Sequence, residues 1–132
     1  MILLDTSAVV LLFRAAEPPS ILAGERVGIS TIVETELFQG VFRGGGKKER
    51  RRVEGFIAET RVFAFDSSAA EATARLRVEL WKSGTPIGDF DSQIAGHAMA
   101  LDLPLLTDNV RHFERVEGLR IIPWRGVDRV GF

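Results

Sequence analysis

The chain has 132 residues, of which 45% are hydrophobic and 27% are charged, and its formal net charge is −1. We expect one globular domain spanning residues 1–132, because this length is sufficient for one core. No apolar run approaches the ~20 residues of a membrane span, and the opening segment has no basic start, so neither a membrane anchor nor a signal peptide is predicted. The absence of cysteine excludes disulfides and thiolate metal sites and favours the cytoplasm.

Short apolar runs alternate with helical patterns along the chain. In chain order, strands are expected at 1–4, 27–30, 61–65, 103–107 and 119–122. Helices are expected at 8–16, 31–42, 47–59, 68–82 and 89–101, with helical turns at 20–23 and 110–113. This alternation predicts an α/β fold, a three-layer sandwich around a central, mainly parallel sheet.

Capping side chains mark the expected helix starts. The candidate caps are Thr6 or Ser7 for the first helix, Ser30 or Thr31 for the second, and Ser67 or Ser68 for the alanine-rich fourth. Thr31 and Glu34 also fit a capping box, in which Glu34 reaches back to a backbone N–H. Because Thr6 and Ser7 already supply caps, a carboxylate at Asp5 is not needed for that role.

Four acidic residues lie where strands are expected to end or helices to begin: Asp5, Glu36, Asp91 and Asp108. Ligands of open parallel sheets gather beyond the carboxyl ends of the strands, so these side chains are expected to share one crevice. Carboxylate oxygens are the ligands that Mg²⁺ and Mn²⁺ prefer, and such sites serve phosphate chemistry. The leading hypothesis from the residues is therefore a metal-dependent nuclease.

Each acid also has a purely structural interpretation. Glu36 is preferred to Glu34 only by elimination, since helical phase does not separate the two. Asp89 as N-cap and Asp91 as N2 residue would both favour the positive end of a helix dipole without any metal. However, Asp91 shares a helix face with apolar residues, and a buried acid needs a partner. Asp108 could simply begin a turn.

Basic residues cluster between Arg43 and Arg52, around a glycine-rich turn. Such a cluster can hold phosphates, although it also fits a solvated helix start. Its members are Arg43, Lys47, Lys48, Arg50, Arg51 and Arg52. The two histidines, His97 and His112, lack metal-ligand spacing and are expected at the surface or in packing. Trp81 and Trp124 are too isolated in the sequence to predict base stacking.

Three segments together carry a family resemblance: MILLDTSAVVLLF, ISTIVETEL and PIGDFDSQIAGHAMALDLPLLTDNVRHFERVEGLRIIPW. They resemble the VapC-type toxins of the PIN-domain family, which belong to bacterial and archaeal toxin–antitoxin pairs. Asp5 matches the family's Asp at the end of the first strand. Glu36 matches an acid that precedes Leu six residues after a Ser, and Asp91 matches a metal-binding Asp. The resemblance covers essentially the whole chain and implies a PIN-like sandwich.

The resemblance implies an endoribonuclease that uses Mg²⁺ or Mn²⁺. Asp5, Glu36 and Asp91 would then be the metal ligands, and Asp108 would be an auxiliary ligand or a water-positioning group. Water as the nucleophile would leave 5′-phosphate and 3′-hydroxyl ends on a structured RNA such as a transfer or ribosomal RNA.

The family's fourth acidic position falls near Thr107, so Asp108, Asn109 and Asp89 all remain candidates for it. Thr6, Asn109 and Asp89 are expected to orient the ligands from an outer shell.

The implied partners are RNA, a cognate VapB-type antitoxin, and a second copy in a homodimer or hetero-oligomer, with no membrane involved. Apolar side chains that line either a partner groove or the core are Leu11, Leu12, Phe13, Phe38 and Phe42. The alternative function is a non-catalytic PIN-like module for RNA binding or assembly, whose carboxylates are helix caps.

Overall fold

The computed structural model describes residues 1–127, and its centre is one five-stranded sheet in the order β3-β2-β1-β4-β5. The strands are β1 (Ile2–Leu4), β2 (Val27–Ser30), β3 (Arg61–Phe63), β4 (Leu105–Thr107) and β5 (Ile121–Pro123). Every neighbouring pair is parallel. The carboxyl ends of all the strands therefore lie along one edge of the sheet.

Helices cover both faces of this sheet, which confirms the predicted three-layer α/β sandwich. They are α1 (Thr6–Arg14), α2 (Thr31–Gly40), α3 (Gly46–Ala58), α4 (Ser67–Lys82), α5 (Asp89–Leu101), α6 (Val110–Phe113) and α7 (Trp124–Val127). A single 3₁₀ turn spans Ser20–Leu22, and a wide turn over Val41–Gly45 joins α2 to α3. In that turn Gly44 adopts a φ of 131°, which L side chains rarely reach. No helix within residues 1–127 is long and apolar enough to cross a membrane.

The central strands are buried on both faces, as continuous apolar runs require. Leu3 and Leu4 of β1 and Leu105 and Leu106 of β4 have no exposed surface. Leu3 is the register partner of Leu105 and Leu4 that of Leu106, so the two strands end side by side. Parallel strands in such layers are expected to be apolar throughout, which the short runs in the sequence predicted.

Three of the predicted helix caps are wrong. Asp5 caps α1, since its side chain accepts a hydrogen bond from the Ala8 N–H, and Asp66 caps α4 in the same way through Ala69. Gly88 occupies the N-cap position of α5, so Asp89 is the first residue of that helix. In each case an acid or glycine one position earlier than expected has the extended backbone that an N-cap needs.

The capping box predicted for Thr31 and Glu34 does not form either. Ser30 is the N-cap of α2, and its hydroxyl accepts from the Ile32 N–H. Glu34 therefore lies one position beyond the residue that would reach back to the cap. Thr31 instead accepts a hydrogen bond from the Phe65 N–H, which ties α2 to the segment after β3.

Helices α4 and α5 pack at very close range, and Gly96 makes this approach possible. A Cβ atom added at Gly96 would lie 2.1 Å from Thr73 Oγ1 and 2.7 Å from the Thr73 backbone. Thr73 is itself buried and donates its hydroxyl hydrogen bond to the Ala69 carbonyl. The contact thus leaves no room for even one methyl group.

Gly96→Ala should lower the free energy of unfolding by about 1–3 kcal/mol, because the helices must separate to admit the methyl group. Gly55→Ala is the matched control, since a Cβ at Gly55 in α3 meets nothing within 4 Å. Alanine in a helix interior should raise stability there by up to about 1 kcal/mol. Urea unfolding of both variants measures the difference, and equal stabilities would contradict a tight α4–α5 contact.

Candidate metal and active site

Asp5 lies immediately after β1, at the carboxyl edge of the sheet. Its backbone N–H donates to the Leu106 carbonyl of β4 at 3.2 Å, so the position is tied to the neighbouring strand. The Oδ1 atom accepts from Ser7 Oγ at 2.7 Å and from the Ala8 N–H at 2.9 Å. The Oδ2 atom accepts from Thr107 Oγ1 at the end of β4. Strand pairing, helix capping and two hydroxyl groups therefore hold this carboxyl group in place.

The Asp5 carboxyl group is buried, with an exposed fraction of 2%. Burial raises its pKa above the ordinary value, the hydrogen bonds oppose this effect, and the charge of Asp91 adds to it. No lysine or arginine within residues 1–127 forms an ion pair with Asp5. A buried carboxylate without a cation is costly, and a bound cation would remove that cost.

Glu36 lies in the middle of α2 and its side chain turns toward the start of α1. Its Oε1 atom accepts a hydrogen bond from Thr6 Oγ1 at 2.8 Å. Partial burial raises the pKa of Glu36, the Thr6 hydroxyl lowers it, and the charges of Asp91 and Asp5 raise it further. Helix α2, which carries Glu36, contacts both α1 and α5.

Asp91 lies in the first turn of α5 and contributes the third acid. Its Oδ2 atom lies 2.9 Å from His112 Nδ1, a side chain near the end of α6. Its charge acts on both Asp5 and Glu36. His112, expected only at the surface or in packing, is thus a partner of a candidate ligand.

Asp108 is directed differently from the other three acids. Arg125 of α7 holds its carboxylate, with Nε 2.9 Å from Oδ1. The link to Asp5 is indirect, since the Asp108 backbone N–H donates to Ser7 Oγ, which in turn donates to Asp5. Arg125 therefore already neutralises the candidate fourth ligand.

The donor chemistry of the site fits a hard divalent cation. Asp5, Glu36 and Asp91 offer carboxylate oxygens, and two of these acids have no cationic partner within residues 1–127. In the described part of the chain no three acids or histidines come close enough to share one ion as they are arranged. The fit to a divalent cation therefore rests on the chemistry of the donor groups.

The predicted outer-shell residues occupy different positions. Thr6 touches Glu36, as described above. Asn109 contributes its backbone N–H to Thr107 Oγ1, while its side chain is exposed. The Asp89 side chain is 95% exposed and lies 3.9 Å from Arg77 at the surface. Of these three residues, Thr6 is the one whose side chain contacts a candidate metal ligand.

Sequence reasoning missed Ser7 and Thr107, the two hydroxyl donors to Asp5. Ser7 was considered only as a cap, although its spacing of two from Asp5 could have suggested the contact. Thr107 lies 102 residues from Asp5, so only the pairing of β1 with β4 brings it there. His97 is a packing residue, as expected, since it is buried and its Nδ1 lies 2.8 Å from Ser30 Oγ.

The basic cluster begins in the turn before α3 and continues along that helix. Arg50 forms an ion pair with Glu54 and lies over the rings of Phe38 and Phe42. Arg52 pairs with Glu49. In the described part of the chain, no ion pair involves the remaining members, Arg43, Lys47, Lys48 and Arg51, all of which are exposed.

The all-parallel sheet between two layers of helices makes this an α/β protein, and its candidate site is a group of acids at the carboxyl ends of the strands. Comparison with known families then narrows the class, because the PIN domain family model matches residues 2–119. The "tRNA(fMet)-specific endonuclease VapC" of Salmonella typhimurium is 41% identical over 100 residues, which are 75% of this chain and 76% of that protein.

Solved structures agree with this match. The crystal structure of DNA-bound VapBC from Salmonella typhimurium contains a similar chain with a TM-score of 0.85 and 36% identity, covering 94% of this chain and 99% of that one. A chain in the structure of VapBC2 from Rickettsia felis, bound to a promoter DNA fragment, is similar with a TM-score of 0.84 and 30% sequence identity. The match covers 94% of this chain and 99% of that one. The chain therefore belongs to the PIN-domain family, within its VapC group.

The raised pKa values predict a pH dependence of stability. A carboxyl group with a higher pKa in the folded state binds more protons there than in the unfolded state. Its contribution to the free energy of unfolding is therefore fully present below 3.8, the ordinary pKa of Asp5, and is lost as pH rises through the raised folded pKa.

Asp5→Asn should consequently be more stable than the unsubstituted protein at pH 7 without divalent metal, and the difference should vanish near pH 3. Asparagine also caps helices well, so α1 keeps its start. Urea unfolding at the two pH values measures the effect, with the exposed Asp89→Asn as control. An Asp5→Asn protein that is less stable at pH 7 would contradict this account of the buried charge.

Proposed function

We propose that the protein is the toxin of a toxin–antitoxin pair and a divalent-metal-dependent endoribonuclease. The single observation that carries the proposal is the buried Asp5 carboxyl group, which has no cationic partner in the described residues and whose pKa is raised by its burial and by the charge of Asp91. The names of the VapC relatives, endonuclease and ribonuclease, supply the reaction class. We further propose that one PIN domain spans residues 1–132 and that the protein acts in the cytoplasm.

Asp5, Glu36 and Asp91 would hold the ion, Mg²⁺ or Mn²⁺. When bound, such an ion makes hydroxide available near neutral pH and neutralises the charge that develops on the phosphodiester. Ser7 and Thr107 fix the orientation of the Asp5 carboxylate, and Thr6 fixes that of Glu36. Outer-shell hydrogen bonds of this kind typically change metal affinity or activity by about 10- to 100-fold.

The remaining candidates have smaller roles in this proposal. Asp108 helps to position water or RNA while Arg125 balances its charge. Asn109 supports Thr107 through its backbone, and Asp89 is outside the site. Because water is the nucleophile, cleavage leaves a 5′-phosphate and a 3′-hydroxyl end, and the substrate's 2′-hydroxyl takes no part in the chemistry. We propose a structured RNA, such as a transfer or ribosomal RNA, as the substrate.

A VapB-type antitoxin is the proposed protein partner. The proposed assembly is either a homodimer of the toxin or a hetero-oligomer of toxin and antitoxin. Supporting this, three of the similar solved structures are VapBC complexes. An apolar groove of about 520 Å³ lies between α2 and α3, and its walls include Phe38, Phe42 and Arg50. Phe42 is 72% exposed, so this surface has apolar area to bury against a partner.

Asp5→Asn and Asp91→Asn should each reduce RNA cleavage at least about 100-fold, because each removes one charged ligand. The assay incubates purified, antitoxin-free protein with total RNA in Mg²⁺ or in EDTA and maps 5′-phosphate ends. Asp89→Asn is the matched control and should cleave normally. Wild-type cleavage by Asp5→Asn would refute the assignment. Absence of both cleavage and metal binding in the unsubstituted protein would support a non-catalytic module instead.

The basic cluster should supply sequence-independent affinity for RNA. Lys47→Gln and Lys48→Gln, measured in the Asp5→Asn background, should each lower the slope of log affinity against log salt by about 0.7, the value for one single-strand phosphate contact. Lys82→Gln at the end of α4 is the matched control with no expected effect. Fluorescence polarisation with a labelled RNA at several salt concentrations gives the slopes. Equal slopes for all three variants would exclude the cluster from the RNA interface.

A further inference from the structure

A second cavity adjoins the acidic site at the carboxyl edge of β4 and β5. It measures about 490 Å³, which is in the size range of ligand pockets. Its lining includes Thr107, Asp108, Arg111, His112, Trp124 and Arg125. None of the proposed roles so far uses Arg111 or Trp124.

Two lining residues connect this cavity directly to the candidate metal ligands. Thr107 lines it and donates its hydroxyl hydrogen bond to Asp5. His112 lines it and contacts Asp91 at 2.9 Å. A molecule in the cavity would therefore lie one side chain away from the place where a phosphodiester must bind for cleavage.

The charge of the lining favours an anion. Arg111 and Arg125 face a single lining acid, Asp108, which Arg125 already pairs. Arg111 is exposed and forms no ion pair within residues 1–127. A free arginine beside an acidic cleft is suited to bind a phosphate, since its guanidinium group matches the phosphate oxygens.

Trp124 gives the cavity an aromatic wall. One part of its indole packs against the core, and the side chain also lines the cavity. Held in this way, the ring loses little entropy when a flat ligand stacks on it. Aromatic side chains beside basic residues are the usual way in which proteins bind single-stranded nucleotides.

We propose that this cavity is a nucleotide subsite, which binds the single-stranded RNA nucleotide next to the scissile phosphodiester. Trp124 stacks on the base and Arg111 contacts the phosphate. The proposal rests on the nuclease function proposed above. An acidic protein segment could also pair with Arg111. The position of the cavity, between Asp5 and Asp91 on one side and Trp124 on the other, favours a phosphate linked to an aromatic base.

Tryptophan fluorescence tests the stacking directly. The chain has two tryptophans, so Trp81→Phe leaves Trp124 as the single reporter, and Trp81 is an exposed side chain on α4. In the Trp81→Phe, Asp5→Asn protein, a mixed-sequence single-stranded octaribonucleotide should quench the fluorescence saturably. The peptide octaglutamate, which is anionic but lacks bases, should not.

Arg111→Gln in the same background should weaken octaribonucleotide binding about fivefold at low salt and lower the salt slope by about 0.7. Arg115→Gln is the matched control. Arg115 is four residues further on, is also exposed, and lines a different depression beside α4. It should leave affinity and slope unchanged.

Three outcomes would overturn the subsite: octaribonucleotide binding without Trp124 quenching, equal affinities for the two arginine variants, or equal quenching by octaglutamate. In each case the nuclease proposal survives if the unsubstituted protein still cleaves RNA in Mg²⁺. Failure of that cleavage together with failure of Mg²⁺ binding would instead count against the nuclease itself.

Discussion

The burial of one carboxyl group at the end of β1 is the constraint on which the site depends. Asp5 is removed from water by the parallel strands on either side and by α1, whose first turn it caps. Its backbone N–H is hydrogen-bonded to Leu106 of the sheet, and its side chain is hydrogen-bonded to the Ala8 N–H of the helix. The residue that starts α1 is thus also the residue that would bind a metal. The two roles are compatible because the two oxygens of the carboxylate have different partners.

Charge compensation divides the acids of this edge into two groups. Asp91 and Asp108 have basic partners on neighbouring elements, His112 and Arg125. Asp5 and Glu36 are held by uncharged donors, hydroxyl groups and the Ala8 N–H, which orient a carboxylate without neutralising it. The repulsion among Asp5, Glu36 and Asp91 is therefore available to strengthen cation binding. Among these four acids, Asp108 is the one that pairs with an arginine within residues 1–127, which distinguishes it from the other three.

Much of the architecture could be predicted from local patterns. The bounds of α5 and α6 and of β2 match the sequence expectation, because helical periodicity, flanking glycine or proline and short apolar runs are strong local signals. The caps of α1 and α4 were wrong for a physical reason. Asp, Ser and Thr are all good caps, and in D-T-S and D-S-S the choice depends on which residue keeps an extended backbone just before the helix. The position of a helix N-cap therefore cannot be read from the sequence to within one residue.

The amino-acid sequence by itself determined the alternation of strands and helices, the family, and the acids at the expected ends of elements. These properties depend on residues that are close in the chain or on motifs that can be read directly. Only the tertiary structure decided which side chains contact the acidic residues and line the cavity. Thr107 meets Asp5 across 102 residues because β1 pairs with β4, and His112 meets Asp91 because α6 lies near the start of α5. Trp124, isolated in the sequence, joins Arg111 at one cavity because β5 closes the sheet edge beside β4. Contacts of this kind follow from strand order, which no local pattern contains.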